Sequence, residues 1–146
     1  NGEFTGVSRF WGIDANAVKA ELDVSYRYGT KLEASAKVGY HRWKTADGGE
    51  TISYNRPQWE GGVNIRYMPV RPFTLEAGYE FAAGREYSNL GKLSDIHLVH
   101  LKASYAFTSW FSLYGLTDNV LNRKYDILYG MPAQGINFMF GVDLKF

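Results

Sequence analysis

The last eleven residues, INFMFGVDLKF, alternate between apolar and mostly polar or small side chains. Every second residue from Ile136 to Phe146 is apolar, whereas the residues between them include Asn137, Asp143 and Lys145. A β-strand points successive side chains to opposite faces, so this segment predicts a strand with one apolar and one polar face. Eleven residues is roughly twice the length of a usual strand in a soluble protein. The fold must therefore accommodate a long strand whose two faces meet different surroundings.

The same alternation recurs along the chain and predicts further strands. Clean period-two patterns cover residues 17–28, 32–43, 58–68, 73–84 and 97–107. Residues 111–122 alternate less cleanly, and residues 4–13 leave an opening strand undecided. With the last segment, the pattern predicts seven strands, or eight if the opening stretch is included.

The predicted connections between these strands differ in length. Short connections fall at 29–31, 69–72 and 108–110, and long ones at 44–57, 85–95 and 124–135. Strands joined by tight turns are antiparallel neighbours, so the short turns should lie at one end of the sheet and the long loops at the other. The link at 14–17 is an exception, because it would place a short connection at the long-loop end.

Composition excludes several classes of function. The chain of 146 residues predicts a single domain, residues 1–146, and its net charge of +1 indicates no nucleic-acid partner. Without cysteine it has no disulfide, thiol nucleophile or thiolate metal site. It contains four Trp, eleven Tyr and nine Phe. No apolar run approaches the length of about 18 residues that a membrane helix needs, and no signal peptide is recognisable at the start.

Two architectures suit strands with one apolar and one polar face. A soluble β-sandwich buries the apolar face against a second sheet, whereas a transmembrane barrel turns it towards lipid. Strand length, aromatic residues near strand ends and the sorting of loops by length favour the barrel. We therefore predict an all-β fold, an antiparallel up-and-down transmembrane β-barrel with seven or eight strands in this chain.

The predicted polar faces carry charges of both signs. A near-balanced set can pair across neighbouring strands inside a barrel, although the solvated face of a soluble sheet would have much the same composition. The middles of the apolar stripes carry no charge, as a lipid-facing surface requires. The charged residues are Lys19, Arg27, Lys37, Arg66, Lys102 and Lys145 against Glu21, Asp23, Glu33, Glu60, Glu76, Glu80 and Asp143.

Residues 110–146 resemble a known family. The run Asn-Val-Leu-Asn-Arg-Lys-Tyr at 119–125 precedes a loop containing small residues and Pro132, and the chain then ends on Phe146. This arrangement resembles the C-terminal barrel segment of a TonB-dependent outer-membrane receptor, in which Leu is usual where Val120 stands. Within that family the motif is structural. Asn119, Asn122 and Tyr125 are accordingly interpreted as strand-end hydrogen-bonding and interfacial residues.

The resemblance implies TonB-dependent uptake of a nutrient or metal chelate through the bacterial outer membrane. Such receptors have about 22 strands and an N-terminal plug, and TonB engages them only through a plug, which is not recognisable in this chain. Outer-membrane lipid is an implied partner. Residues 1–146 would then be the last part of a receptor barrel. The alternative is a self-contained eight-stranded outer-membrane barrel acting as an anchor or adhesin, and a second alternative is a soluble β-sandwich binding module.

The final strand also resembles the signal read by the outer-membrane barrel-assembly machinery. An exposed strand edge can pair through its main chain while alternate apolar side chains fix the register, so Phe140, Val142, Leu144 and Phe146 are predicted to form this signal. Near the longest predicted loop, Tyr54, Arg56 and Trp59 are candidates for substrate contact, with an aromatic-girdle or turn role as the alternative.

The sequence predicts no catalytic, cofactor-binding or metal site. His97 and His100 are three residues apart, which places them on opposite faces of a strand, and His41 is alone. The Asp-Gly-Gly-Glu stretch at 47–50 lacks the spaced oxygen ligands of a calcium site and is typical of a turn. The chain is therefore predicted not to be an enzyme.

Overall fold

The computed structural model describes residues 2–14, 17–43, 57–85 and 91–145. These residues form strands, turns and loops, with no helix among them. The strands are β1 Gly2–Asp14, β2 Ala17–Tyr28, β3 Leu32–Trp43, β4 Trp59–Val70, β5 Phe73–Ala83, β6 Ile96–Ala106, β7 Phe111–Asp118, β8 Asp126–Leu128, β9 Met131–Pro132 and β10 Asn137–Leu144.

Eight of the strands form one sheet in the order β1-β2-β3-β4-β5-β6-β7-β10. Every neighbouring pair is antiparallel, so the chain runs up and down through the sheet, as the short turns between predicted strands indicated. The two short strands β8 and β9 pair with each other in the connection between β7 and β10. Among the described residues the large sheet is open: β1 and β10 are its edge strands and do not pair with each other, so the predicted closure into a barrel is not seen.

Strand positions agree closely with the period-two pattern. β2 and β3 have the predicted bounds, and the undecided opening stretch forms β1, which pairs with β2 along its length. The prediction for residues 111–122 was too long, because β7 ends at Asp118. Asn119 follows with a φ of 50°, a left-handed conformation that ends an extended strand.

Register places the apolar residues of neighbouring strands on one face. Val24 lies opposite Ala36, Ala36 opposite Val63, and Val63 opposite Tyr79. We call this surface the apolar face. The opposite surface, the polar face, includes Asp23, Lys37, Asn64, Glu76, Lys102 and Asp143.

The apolar face is uncovered in the described part of the chain. Val63, Ile65 and Leu101 remain 40–42% exposed, and the described core contains a single buried hydrophobic residue, Leu93, which lies in a loop. The accessible surface is 10539 Å², against about 7,500 Å² for a compact protein of this mass. The described strands therefore form a single layer, with no second large sheet packed on the apolar face.

Aromatic side chains border the apolar face at both ends. At the long-loop end the Tyr40 and Trp59 rings lie 4.6 Å apart, and at the short-turn end the Tyr105 and Phe107 rings lie 4.8 Å apart. On β4, Trp59 and Tyr67 mark the two ends of one apolar stripe, about 27 Å apart along the strand at about 3.4 Å per residue.

We predict that Gly61→Ala destabilises the sheet. A Cβ at Gly61 would collide with the Lys37 carbonyl oxygen and lie 2.8 Å from the Phe81 ring, so the neighbouring strands would have to shift. Overpacking of this kind costs about 1–3 kcal/mol. The measurement is the free energy of unfolding from denaturant titration followed by circular dichroism.

Gly6→Ala is the matched control, because a Cβ there meets no atom within 4 Å. It should change the free energy of unfolding by less than about 0.5 kcal/mol. Equal stability of the two variants would contradict the close packing of β4 between its neighbours.

Candidate functional site

A row of charges of alternating sign crosses the polar face. Each residue lies directly opposite the next on the neighbouring strand, and the row runs across six strands through Glu3, Arg27, Glu33, Arg66, Glu76 and Lys102. We call these residues the charged row. Opposite charges that face each other across strands stabilise the pairing, whereas like charges would oppose it.

Ion pairs form within the charged row. Arg27 Nε lies 3.2 Å from Glu33 Oε1, while Glu76 accepts Arg66 Nε at 3.5 Å and Lys102 Nζ at 3.7 Å. These side chains are 39–56% exposed, so each pair contributes at most about 1 kcal/mol. Some of the charges on the polar face thus pair across neighbouring strands, as their near-balance of signs allows, and the main effect of this pairing is on register.

The charged row lines an open groove on the polar face, with the exception of Glu3. The groove has a volume of about 510 Å³, and its polar lining includes Asn64 and His100 in addition to members of the charged row. A surface of this kind suits water and polar or charged solutes.

A second polar cluster lies nearer the long-loop end and joins three strands. His41 Nε2 on β3 lies 3.1 Å from Glu60 Oε1 on β4, and Glu21 on β2 brings a carboxylate oxygen within 4.8 Å of both ligand atoms. Glu21 also accepts Lys19 Nζ at 3.2 Å and Lys37 Nζ at 3.5 Å. The sequence-based view of His41 as an isolated residue was wrong, because pairing between strands brings two glutamates to it.

Arg85 connects two of the long loops. It is only 2% exposed, and its Nη2 donates to the carbonyl oxygens of Asp126 at 2.8 Å and Ile127 at 2.9 Å. Its Nη1 donates to the Ser94 carbonyl oxygen at 3.3 Å. Burial lowers the pKa of Arg85, and the nearby acidic side chains, Asp126 among them, oppose this shift. A guanidinium keeps its charge throughout, so Arg85 provides a permanent charged link between the loop at 84–95 and β8.

The residues of the family motif organise the turn after β7. Asn119 is buried, its Nδ2 donates to the carbonyl oxygens of Arg123 at 2.9 Å and Gln134 at 3.2 Å, and its Oδ1 accepts the Arg123 amide at 2.8 Å. Asn122 Oδ1 accepts the Ile136 amide at 3.1 Å. These hydrogen bonds hold the end of β7 close to the start of β10.

Left-handed backbone explains why both motif positions hold asparagine. Asn119 has a φ of 50° and Asn122 a φ of 47°, a region that asparagine adopts more readily than most residues. The main-chain carbonyl of Tyr125 accepts the Ala133 amide at 2.8 Å, which closes the base of the β8-β9 hairpin.

The other predicted residues are dispersed. Phe140, Val142 and Leu144 lie on the apolar face of the outer strand β10, and Phe140 is 82% exposed. Trp59 begins β4 in the aromatic border, 48% exposed. Tyr54, Arg56 and Phe146 lie outside the described residues.

Sequence reasoning missed two features that depend on long-range placement. Arg85 and Leu93 carry no recognisable motif, yet both are buried, and Arg85 contacts β8, about 40 residues further along the chain. Glu21, His41 and Glu60 could have been found only by assuming the register of three strands. His97 and His100 do lie on opposite faces, since His97 is opposite Phe81 and His100 opposite Gly78.

Comparisons with known proteins add no relative. No protein-family model, curated protein or solved structure matches the chain. The described residues contain no helix that is long and apolar enough to cross a membrane.

We predict that Arg85→Ala loosens the junction between the two loops. The substitution removes three donor contacts to main-chain carbonyls, and hydrogen bonds from a charged donor are worth about 1.5–3 kcal/mol each. Amide exchange at residues 91–95 and 126–128 should accelerate, whereas exchange in β3 and β4 should not change.

Arg123→Ala is the control, because Arg123 is an exposed arginine in the connection that Arg85 contacts, and its hydrogen bonds with Asn119 use only its main chain. Comparable acceleration in both variants would show that Arg85 does not hold the junction.

Proposed function

We propose that this chain forms part of the wall of a TonB-dependent outer-membrane receptor, a barrel that takes up a nutrient or metal chelate. One observation carries the proposal. A single sheet exposes an apolar face bordered by aromatic rows, and its opposite face carries paired charges. The motif from Asn119 to Tyr125 resembles that of the TonB-dependent receptor family, and this resemblance is why we propose that class of barrel.

Lipid is the cover that suits the apolar face best. A soluble monomer rarely exposes a continuous apolar surface larger than a few hundred Å², because contact between water and apolar groups is unfavourable. Aromatic residues such as Trp59 and Tyr105 belong at the level of the lipid headgroups, whereas aliphatic residues such as Leu101 suit the hydrocarbon region. The charged row would face the water-filled interior.

The arrangement of the connections gives the proposed wall an orientation. The short turns at 29–31, 71–72 and 107–110 would face the periplasm, and the long connections at 44–58, 84–95 and 119–136 would face outside. Substrate would meet the outer loops, where Tyr54, Arg56 and Trp59 remain candidates. TonB would act only through a plug.

The outer strands of the sheet require partners in a membrane. Hydrocarbon cannot satisfy the free amides and carbonyls of β1 and β10, so in lipid both edges must pair. In a receptor of about 22 strands they would pair with further strands of the same barrel. The exposed apolar residues Phe140, Val142 and Leu144 on β10 suit the proposed recognition by the barrel-assembly machinery, to which Phe146 would also contribute.

A second candidate is an eight-stranded barrel that closes on itself and serves as an anchor or adhesin. The strand count favours it, since eight is an even number and the size of the smallest common barrels. In that case β1 would pair with β10, and the interior would be filled by side chains of the polar face.

We predict that Leu101→Arg impairs folding in lipid or detergent, whereas Lys102→Gln does so far less. Leu101 lies on the apolar face in the middle of β6, and an arginine near the bilayer midplane costs about 2–4 kcal/mol. Lys102 is its neighbour in sequence but points to the polar face, where it contacts Glu76. Folded yield and the urea midpoint in phospholipid vesicles are the measurements.

Two results would contradict a membrane-facing surface. One is equal folding of both variants in vesicles. The other is folding of the unmodified chain to a monomer in plain buffer, which would favour a soluble binding module instead.

Hydrogen exchange distinguishes the two candidate barrels. In the isolated chain, alternate amides of β1 and β10 point away from the sheet. A wall segment leaves these amides unpaired, so we expect rapid exchange at every second residue of both strands in detergent. Slow exchange at these residues, matching that of the inward-pointing amides, would instead establish closure of β1 on β10.

A further inference from the structure

We propose that Glu21, His41 and Glu60 bind a divalent transition-metal ion, for which Zn²⁺ is the natural probe. The three residues come from β2, β3 and β4 and meet on the polar face. The inference does not rest on the proposed membrane function, because the cluster is set by strand register alone.

The spacing of the ligand atoms suits a small coordination sphere. Bonds of about 2.0–2.1 Å in a tetrahedral arrangement place neighbouring ligand atoms about 3.3 Å apart. His41 Nε2 and Glu60 Oε1 are already 3.1 Å apart, and all three ligand atoms lie within 4.8 Å of one another. Rotation of the Glu21 side chain would bring its oxygen to the bonding distance, and water would complete the sphere.

Gly39 provides the space at the centre of the cluster. It is buried and lies opposite Glu21 on one side and Glu60 on the other. A Cβ there would lie 3.2 Å from His41 Nε2, 3.5 Å from Glu60 Cγ and 3.6 Å from Glu21 Cγ. Because Gly39 has no side chain, the space between the three ligands is left open for an ion.

The donor set selects the class of metal. One imidazole nitrogen and two carboxylate oxygens suit Zn²⁺ and neighbouring transition metals. Ca²⁺ takes six to eight oxygen ligands, and Mg²⁺ prefers oxygen in a near-ideal octahedron, so neither should compete effectively. Partial burial supports binding, since the side chains of His41 and Glu21 are only 14% and 18% exposed.

Two lysines compete with the metal for Glu21. Lys19 and Lys37 contact its carboxylate, but their own side chains are 44% and 55% exposed, and ion pairs of such exposed groups are weak. A bound metal would displace these ammonium groups and link β2, β3 and β4 near the long-loop end of the sheet.

The test is a Zn²⁺ titration of the chain in excess Mg²⁺, under whichever condition, buffer or detergent, the unmodified chain folds. We expect saturable binding of one ion per chain. His41→Gln and Glu60→Gln should each weaken binding at least about tenfold, the smallest loss that even a supporting residue of a metal site typically causes. Circular dichroism verifies that each variant is folded. Two ligand variants are used so that the proposal can still be tested if one of them does not fold.

His100→Gln is the matched control, because His100 lies on the same polar face but outside the cluster, opposite Gly78. It should leave Zn²⁺ binding unchanged. Lys37→Gln should strengthen binding, since it removes a competitor for Glu21, whereas binding elsewhere on the surface would not respond. Absence of saturable binding, or wild-type affinity in a folded His41→Gln or Glu60→Gln variant, would overturn the proposal.

Discussion

Antiparallel pairing in a fixed register is the interaction on which the rest of this structure depends. β2 and β3 pair without interruption from Ala17 opposite Trp43 to Tyr28 opposite Leu32. Because side chains alternate with period two, a slip of one residue would move every apolar side chain to the other face. It would also separate Arg27 from Glu33 and dissolve the cluster around Gly39. The two faces, the charged row and the aromatic borders are therefore consequences of one register.

Apart from strand pairing, the described sheet has few stabilising contacts, because it has almost no buried hydrophobic core. Leu93 is the one buried hydrophobic residue that the described chain offers, and it belongs to a loop rather than to the sheet. A single layer cannot bury its own apolar face, so the sheet gains little free energy of folding from a core of its own. Lipid is the cover proposed for the apolar face. The exposed ion pairs of the polar face contribute mainly to specificity of pairing, since each is individually weak.

Two buried polar residues organise the described parts of two long connections. Arg85 and Asn119 donate hydrogen bonds to main-chain carbonyls near the ends of the strands. At the long-loop end of the sheet, these hydrogen bonds link Arg85 to Ser94 and β8, and Asn119 to Arg123 and Gln134. If that end faces outside the cell, these residues shape the surface that a solute meets first.

The sequence by itself determined the all-β class, the positions of most strands and the composition of each face. Period-two alternation is a local property of the chain, which is why β2 and β3 were predicted with their observed bounds. The end of β7 was missed, although the left-handed tendency of Asn119 was a local signal for it. Only the tertiary structure decided which residues face each other between strands. The contacts of Arg85 with β8, the small β8-β9 hairpin and the approach of Glu21 and Glu60 to His41 join segments far apart in sequence. Such contacts depend on register and loop packing, which alternation along a single strand does not encode.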